Sequence, residues 1–274
     1  SKVKSQKSKV KSQKSKVKSQ KVMDFQKLLK TAQLAAKSAS EKILDIYSLG
    51  DFTIEAKADD SPLTLADKAS HNAIVTELEK TDLPILSEEG KEIPFSEREN
   101  WEYFWMIDPL DGTKEFIKKN GEFTVNIALI NRSKVVLGVV FTPVLNDLFH
   151  AVKGEGAFKN GKKIRVTTFS NTEKGLKVVA SRSHLNEDTQ AFLDKLHEPE
   201  IVSKGSSLKL LMVAEGQADL YPRYAPTMEW DTAAAQIVVE EAGGKVLQKG
   251  TEQPVVYNKE DLLNPHFLVT GNVK

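Results

Sequence analysis

From Asp24 onward, apolar residues return every three or four positions: Phe25, Leu28, Leu29, Ala32, Ala35, Ala36, Ala39, Ile43, Ile46 and Tyr47. That spacing lines one face of a helix, which Gly50 should stop. A second amphipathic helix is predicted from near Thr64 to Lys80. Short apolar runs then appear at Leu83–Leu86 and Tyr103–Ile107, each followed by acidic residues, as in strands that deliver carboxylates from a sheet edge. Phe123–Ile130, Lys134–Phe141 and Asp147–Val152 read as successive strands, with turn chemistry at Asn131–Ser133 and Thr142–Asn146. The pattern predicts an antiparallel meander.

After Gly161 the order changes to strand (Leu176–Ala180), helix (Asp188–Leu196), strand (Glu200–Ser203), helix (Ser206–Glu215), strand (Ala218–Tyr221) and helix (Thr232–Ala242). Such alternation predicts a layered α/β half. The expected organisation is a tail over residues 1–22, an N-terminal α+β half over 23–170 and a C-terminal α/β half over 171–274. Two sheets interleaved with helix layers would result.

Residues 1–21 read SKVKSQK three times. One small apolar residue per heptad (Val3, Val10, Val17) cannot build a coiled-coil seam, so the tract is expected to be an added or disordered tail. It holds nine Lys and no acid; with the whole chain at +1, the remainder carries −8. An acidic body argues against a nucleic-acid surface, which needs clustered Lys and Arg. No run approaches the roughly 18 apolar residues that span a bilayer, and no apolar segment follows the basic start, so a soluble, cytoplasmic protein is expected. Cysteine is absent from the sequence. That removes disulfides, thiolate nucleophiles and Cys-ligated zinc, and favours hard, oxygen-ligated metal ions.

The segment Trp105–Phe116, WMIDPLDGTKEF, carries the most chemistry. A strand ending at Ile107 would present Asp108; Pro109 biases Asp108 away from helix, and Asp111-Gly112-Thr113 can open a helix. Two carboxylates three residues apart can converge on one point, with the Leu110 carbonyl between them as a third oxygen donor. Unpaired N–H groups at a helix start near Gly112 suit a phosphate oxygen. A second strand delivers Glu88 and Glu89 in the same way, and Asp231 is expected at the N-cap of an Ala-rich helix.

Asp108–Phe116 resembles the first signature of the inositol monophosphatase family, and Trp230-Asp231-Thr232-Ala233-Ala234 through Ala242-Gly243-Gly244 resembles the second. Asp60–Asp67 (DSPLTLAD) and Ser87-Glu88-Glu89-Gly90 stand in the order that family shows, and the resemblance runs from Met23 to the C-terminus. It implies an αβαβα sandwich with two mixed or antiparallel sheets. It also implies that Glu88, Asp108 and the Leu110 carbonyl hold one Mg²⁺, that Asp108, Asp111 and Asp231 hold a second, and that a third binds more weakly. Asp67 and Thr113 would be the water-activating pair, with Glu88 also counted as catalytic.

A phosphate monoester repels nucleophiles, so its hydrolysis needs charge neutralisation and an activated water, which two close Mg²⁺ ions can supply. The backbone N–H groups of Gly112 and Thr113 would hold the phosphate, beside Asp231. Lys114–Ile117 and Asn120–Asn126 are similar to the bacterial bisphosphate-nucleotidase branch of the family, as are Ser181-Arg182-Ser183-His184 and Gly205–Lys209. By that resemblance Ser181, His184, Gly205 and Lys209 contact the nucleotide, and the substrate is 3′-phosphoadenosine 5′-phosphate, cleaved to AMP. The alternative is an inositol or other sugar-phosphate phosphatase on the same core, or a non-catalytic metal- or phosphate-binding protein. Li⁺ inhibition and peripheral association with the inner face of the cell membrane are further implications of the resemblance alone. Monomer and homodimer both stay open.

Overall fold

The computed structural model describes residues 23–49, 62–180 and 185–274. The heptad tail and Gly50 lie outside those residues. Helix α1 (Phe25–Tyr47) opens on Asp24, whose carboxylate accepts from the Lys27 N–H at 3.0 Å. Its stripe of Leu28, Leu29, Ala32, Ala35, Ala36, Ala39 and Ile43 is buried. Helix α2 (Pro62–Leu78) packs beside it. No helix among the described residues is long and apolar enough to cross a membrane.

The first sheet has seven strands in chain order: β1 (Ile85–Ser87), β2 (Tyr103–Asp111), β3 (Thr124–Asn131), β4 (Lys134–Thr142), β5 (Asp147–Val152), β6 (Gly156–Lys159) and β7 (Lys162–Lys163). Only β1 and β2 run parallel, joined by a connection that holds α3 (Phe95–Arg98); the rest is the predicted meander. The short helix α4 (Thr113–Ile117) follows β2. Strand β8 (Thr168–Phe169) leads into a second sheet formed by β9 (Lys177–Val179), β10 (Glu200–Val202), β11 (Leu220–Arg223), β12 (Lys245–Gln248) and β13 (Phe267–Thr270), in spatial order β10-β9-β11-β13-β12. Strand β14 (Asn272–Val273) returns to pair with β8.

Helices α1 and α2 cover one face of the first sheet, and their core includes Trp105, Ile107, Phe116, Phe123 and Leu129. Helices α6 (Leu208–Ala214) and α7 (Glu229–Glu241) lie between the two sheets, in a core that runs from Phe104 and Met106 to Val246 and Val269. Helix α5 (Glu187–Leu193) covers the outer face of the second sheet. The five layers are therefore αβαβα. The Ala-rich stretch Ala233–Ala235 lets α7 press its backbone onto β4, where Gly138 stands opposite; a β-carbon there would lie 2.3 Å from the Ala234 carbonyl oxygen.

Three expectations need correction. Strand β2 does not end at Ile107 but continues to Asp111 across an irregularity: Asp108 pairs with Asn126, and Asp111 with Thr124. The missing N–H of Pro109 falls inside this bulge, where no ladder bond is needed. Helix α7 begins at Glu229, so Asp231 is its third residue and Met228 the N-cap. The helix starts early because Glu229, which looks like a solvent residue in the sequence, is fully buried with Lys259 as its partner. Helices α5 and α6 are shorter than their apolar periodicity predicts, and β12 and β13 were not anticipated.

Candidate active site

Three elements bring carboxylates to one place. Glu88 leaves the end of β1, its N–H donating to the Ile107 carbonyl at 3.2 Å; Asp108 sits in the middle of β2; Asp231 comes from the first turn of α7. One oxygen from each lies within 4.8 Å of the others. Regular strand residues three apart point to opposite faces, but the bulge adds one residue to β2, so Asp111 comes near Asp108 and Asp231 and its charge acts on both, although it stands outside the three acids that meet within 4.8 Å. Local bonds aim these groups: the Leu110 N–H donates to Asp108 Oδ1 at 3.0 Å, and the Ser70 hydroxyl donates to the Pro109 carbonyl at 2.7 Å. The Ser207 N–H donates to Asp111 Oδ2 at 2.5 Å, and the Met228 N–H to Asp231 Oδ2 at 2.8 Å.

Asp67 lies on α2 and Thr113 is exposed at the start of α4. Gly112 adopts φ +103, a left-handed conformation that side chains resist, and packs against Glu122 and Phe123. Because α4 has only five residues, its dipole is small; what it offers a phosphate is individual N–H groups.

The acids are charged groups crowded out of water. Burial, then Glu89 and Glu88, push the Asp67 carboxyl up to about 8. Burial and the neighbouring Asp231 push Asp111 up to about 7, against the opposing pull of Lys209. Asp108 is driven well above the carboxylate range by burial and by Asp111, Glu88 and Asp231; Glu88 and Asp231 are raised mainly by burial. Protein cations do not balance this cluster. Hard oxygen donors facing one another, from exposed Glu88, buried Asp108 and half-buried Asp231, fit a divalent cation.

Beside the carboxylates lies a cleft of about 270 Å³, bounded by Asp111, Gly112, Lys209, Tyr221, Arg223 and Asp231. A second cleft of about 340 Å³ adjoins it, sharing Glu115, Lys209, Tyr221 and Arg223 and lined also by Lys204 and Tyr224. Lys209 and Arg223 therefore stand between an acid-lined chamber and an outer chamber. Gly205 is held against Glu115 and Glu122, its N–H donating to Glu122 Oε2 at 2.8 Å. That N–H is already engaged within the protein, so Gly205 offers no free donor; its neighbours Lys204 and Ser206, not Gly205 itself, line the clefts. Ser181 and His184 lie outside the described residues.

Sequence reading passed over Ser207 and Asn126. The Ser207 hydroxyl donates to Asn126 Oδ1 at 2.9 Å and lies 2.7 Å from Thr124 Oγ1, which ties the first turn of α6 to the strand opposite the acids. Only the places of Ser207 and Asn126 inside the Gly205–Lys209 and Asn120–Asn126 segments hinted at this. Arg223, at the end of β11, flanks both clefts as well.

The model of the inositol monophosphatase family matches residues 24–271. The chain is 44% identical over 242 residues to the 3′(2′),5′-bisphosphate nucleotidase CysQ of Shigella flexneri and to that of Escherichia coli (strain K12), covering 86% of this chain and 96% of each relative. Its fold matches the crystal structure of CysQ from Bacteroides thetaiotaomicron, a bacterial member of the inositol monophosphatase family, with a TM-score of 0.83 at 45% identity, over 91% of this chain and 99% of that one.

Proposed function

The chain belongs to the inositol monophosphatase family, and from that premise we propose that it is a 3′(2′),5′-bisphosphate nucleotidase that converts 3′-phosphoadenosine 5′-phosphate to AMP and phosphate. One observation carries the substrate reading: the acid-lined cleft and the outer cleft meet at Lys209 and Arg223. A monophosphate needs only the first chamber. A bisphosphate nucleotide uses both, with the scissile 3′-phosphate among the carboxylates and the nucleoside and 5′-phosphate beyond the two cations.

The ions are proposed to be Mg²⁺, one held by Glu88, Asp108 and the Leu110 carbonyl, a second by Asp108, Asp111 and Asp231, and a third more weakly. Bound there, they would neutralise the phosphate, acidify water and stabilise the departing oxygen. Asp67 takes the proton of the attacking water, with bound cations offsetting the burial and the Glu89 and Glu88 charges that raise its carboxyl. Thr113 orients the water through its hydroxyl. The N–H groups of Gly112 and Thr113 hold the non-bridging phosphate oxygens, so that attack on phosphorus is in line with the bond to the 3′ oxygen. That bond breaks as the new one forms, and the 3′ oxygen is protonated on release. No covalent phosphoenzyme is required.

Phosphate release with Mg²⁺ from 3′-phosphoadenosine 5′-phosphate, adenosine 3′-monophosphate and inositol 1-phosphate tests this reading. The expected order of kcat/KM puts the bisphosphate first by at least about tenfold over the adenosine monophosphate, the worth of one charge-assisted contact. Equal rates with and without the 5′-phosphate would overturn the use of the outer cleft.

A further inference from the structure

We propose that Glu229 is a positioning residue of the carboxylate cluster, fixing Asp231 and Glu88 relative to each other through a buried ionic network. The inference rests on the reading of those two acids as metal ligands. Glu88 and Asp231 come from opposite ends of the sequence and carry like charges, so nothing in the pair itself draws them to within 4.8 Å. Some other contact must set that separation before an ion arrives.

Glu229 is the first residue of α7 and is fully buried. Its Oε1 accepts from the Lys259 ammonium and from the Lys259 N–H at 3.1 Å, and its Oε2 accepts from the Asn258 N–H at 2.6 Å. The same two residues face Arg98, itself buried: Nη1 donates to Asn258 Oδ1 at 3.0 Å and to the Lys259 carbonyl at 2.5 Å, while Nη2 donates to the Glu260 carbonyl at 2.8 Å. Asn258 Nδ2 donates in return to the Arg98 carbonyl at 2.8 Å. Arg98 belongs to α3, in the connection that begins at Glu88, and its Nε donates to the Ile93 carbonyl at 3.4 Å.

The network thus clamps the segment after Glu88 to the helix turn that presents Asp231, with residues 258–260 as the wedge between them. Asn264 closes the other side, donating to the Met228 carbonyl at 2.8 Å and to Thr232 Oγ1 at 3.0 Å. Met228 is the residue whose N–H aims Asp231. Glu229 points away from the acids it serves, into the wedge, so it touches neither substrate nor ion. Its effect is on preorganisation.

The test is calorimetric Mg²⁺ titration of the full chain, beside the Mg²⁺ concentration giving half-maximal activity. Glu229→Gln keeps the shape but loses the charge that gathers Lys259, and should weaken Mg²⁺ binding by about tenfold, the usual size of such outer contacts. Its KM for the nucleotide at saturating Mg²⁺ should be unchanged. Asn258→Gly, at a position with φ +61 that glycine adopts freely, removes only the side-chain link to Arg98 and should shift Mg²⁺ binding the same way. If Glu229→Gln cannot be folded, this variant alone decides. Glu241→Gln is the control for general destabilisation: it weakens bonds from the Gly154 and Gly156 N–H groups, 2.8 Å each, away from the cluster, and should leave Mg²⁺ affinity unchanged. Asp231→Asn separates the two ideas. If it binds Mg²⁺ normally, the ligand reading fails; if it loses Mg²⁺ while Glu229→Gln and Asn258→Gly bind like the parent, the positioning role is wrong.

Discussion

Asp108 and Asp111 reach one site from a single strand because β2 carries one more residue between them than β3 does between their partners, Asn126 and Thr124. The bulge turns a spacing that would split the two acids across the sheet into one that gathers them. Gathering buried like charges is destabilising until a cation arrives.

Asp108→Asn therefore separates stability from activity. It puts a neutral amide where burial, Asp111, Glu88 and Asp231 disfavour an ionised carboxylate, so the metal-free variant should melt at least as high as the metal-free parent. Turnover should be lost, since a ligand shared by two ion sites is gone. Thermal melts in EDTA and a phosphate-release assay check this; a lower Tm in EDTA, or near-normal turnover, would contradict the assignment.

The same crowding gives stability a pH dependence with a definite sign. Asp67 and Asp111 titrate at about 8 and about 7 in the folded protein, above the ordinary carboxylate value near 4 that holds in the unfolded chain. Between those values the unfolded state has released its protons and the folded state has kept them. Their contribution is present at low pH and is lost as pH rises toward 8, by up to about 1.4 kcal/mol per pH unit for each group still protonated when folded. Urea midpoints in EDTA should fall from pH 6 to pH 8, and Mg²⁺ should flatten the trend by stabilising the ionised acids. A flat profile in EDTA would show that the acids are not buried together.

Much of this was legible in the sequence, for identifiable reasons. The three-and-four spacing of α1, the apolar runs of β3 and β4 with their turn residues, and the DPLDGT segment are local patterns, and local patterns survive folding. The bulge was not legible: Pro109 reads as a strand terminator, and only pairing with Asn126 and Thr124 shows the strand continuing past it. The start of α7 was missed for a similar reason. Glu229 looks like a surface residue until Lys259, thirty positions away, is found beside it. Strands β12 and β13 depend on each other across a long connection, so neither announces itself alone.

Two glycines should respond differently to alanine. At Gly138 the added β-carbon would meet the Ala234 carbonyl oxygen at 2.3 Å and Ile237 Cγ2 at 2.5 Å, so α7 must shift. The expected loss is at or above the upper end of the roughly 1–3 kcal/mol typical of overpacking. At Gly154 the space is empty and only φ +83 is strained, so about 1–2 kcal/mol is expected. Denaturant unfolding of both variants checks the order; Gly154→Ala proving the worse would mean that α7 and β4 are not in close contact.

Lys209 offers the sharpest test of how the two clefts divide the substrate. It occupies the first turn of α6, two residues after Ser207, whose N–H holds Asp111. Burial depresses its pKa while Asp111, Glu115 and Glu122 act to keep it charged, so its ammonium is held in place by acids and has little water of its own. Such a cation gains most from an incoming phosphate, because the contact replaces no full hydration shell. Lys209→Ala should lower kcat/KM for 3′-phosphoadenosine 5′-phosphate by about ten- to a hundredfold, from the roughly 1.5–3 kcal/mol of a charged hydrogen bond. Adenosine 3′-monophosphate has no group to place there, and its kcat/KM should change by less than about threefold. If both substrates lose equally, Lys209 serves the scissile phosphate or Asp111 itself, and the 5′-phosphate must be sought at Arg223 or Lys204 on the same walls.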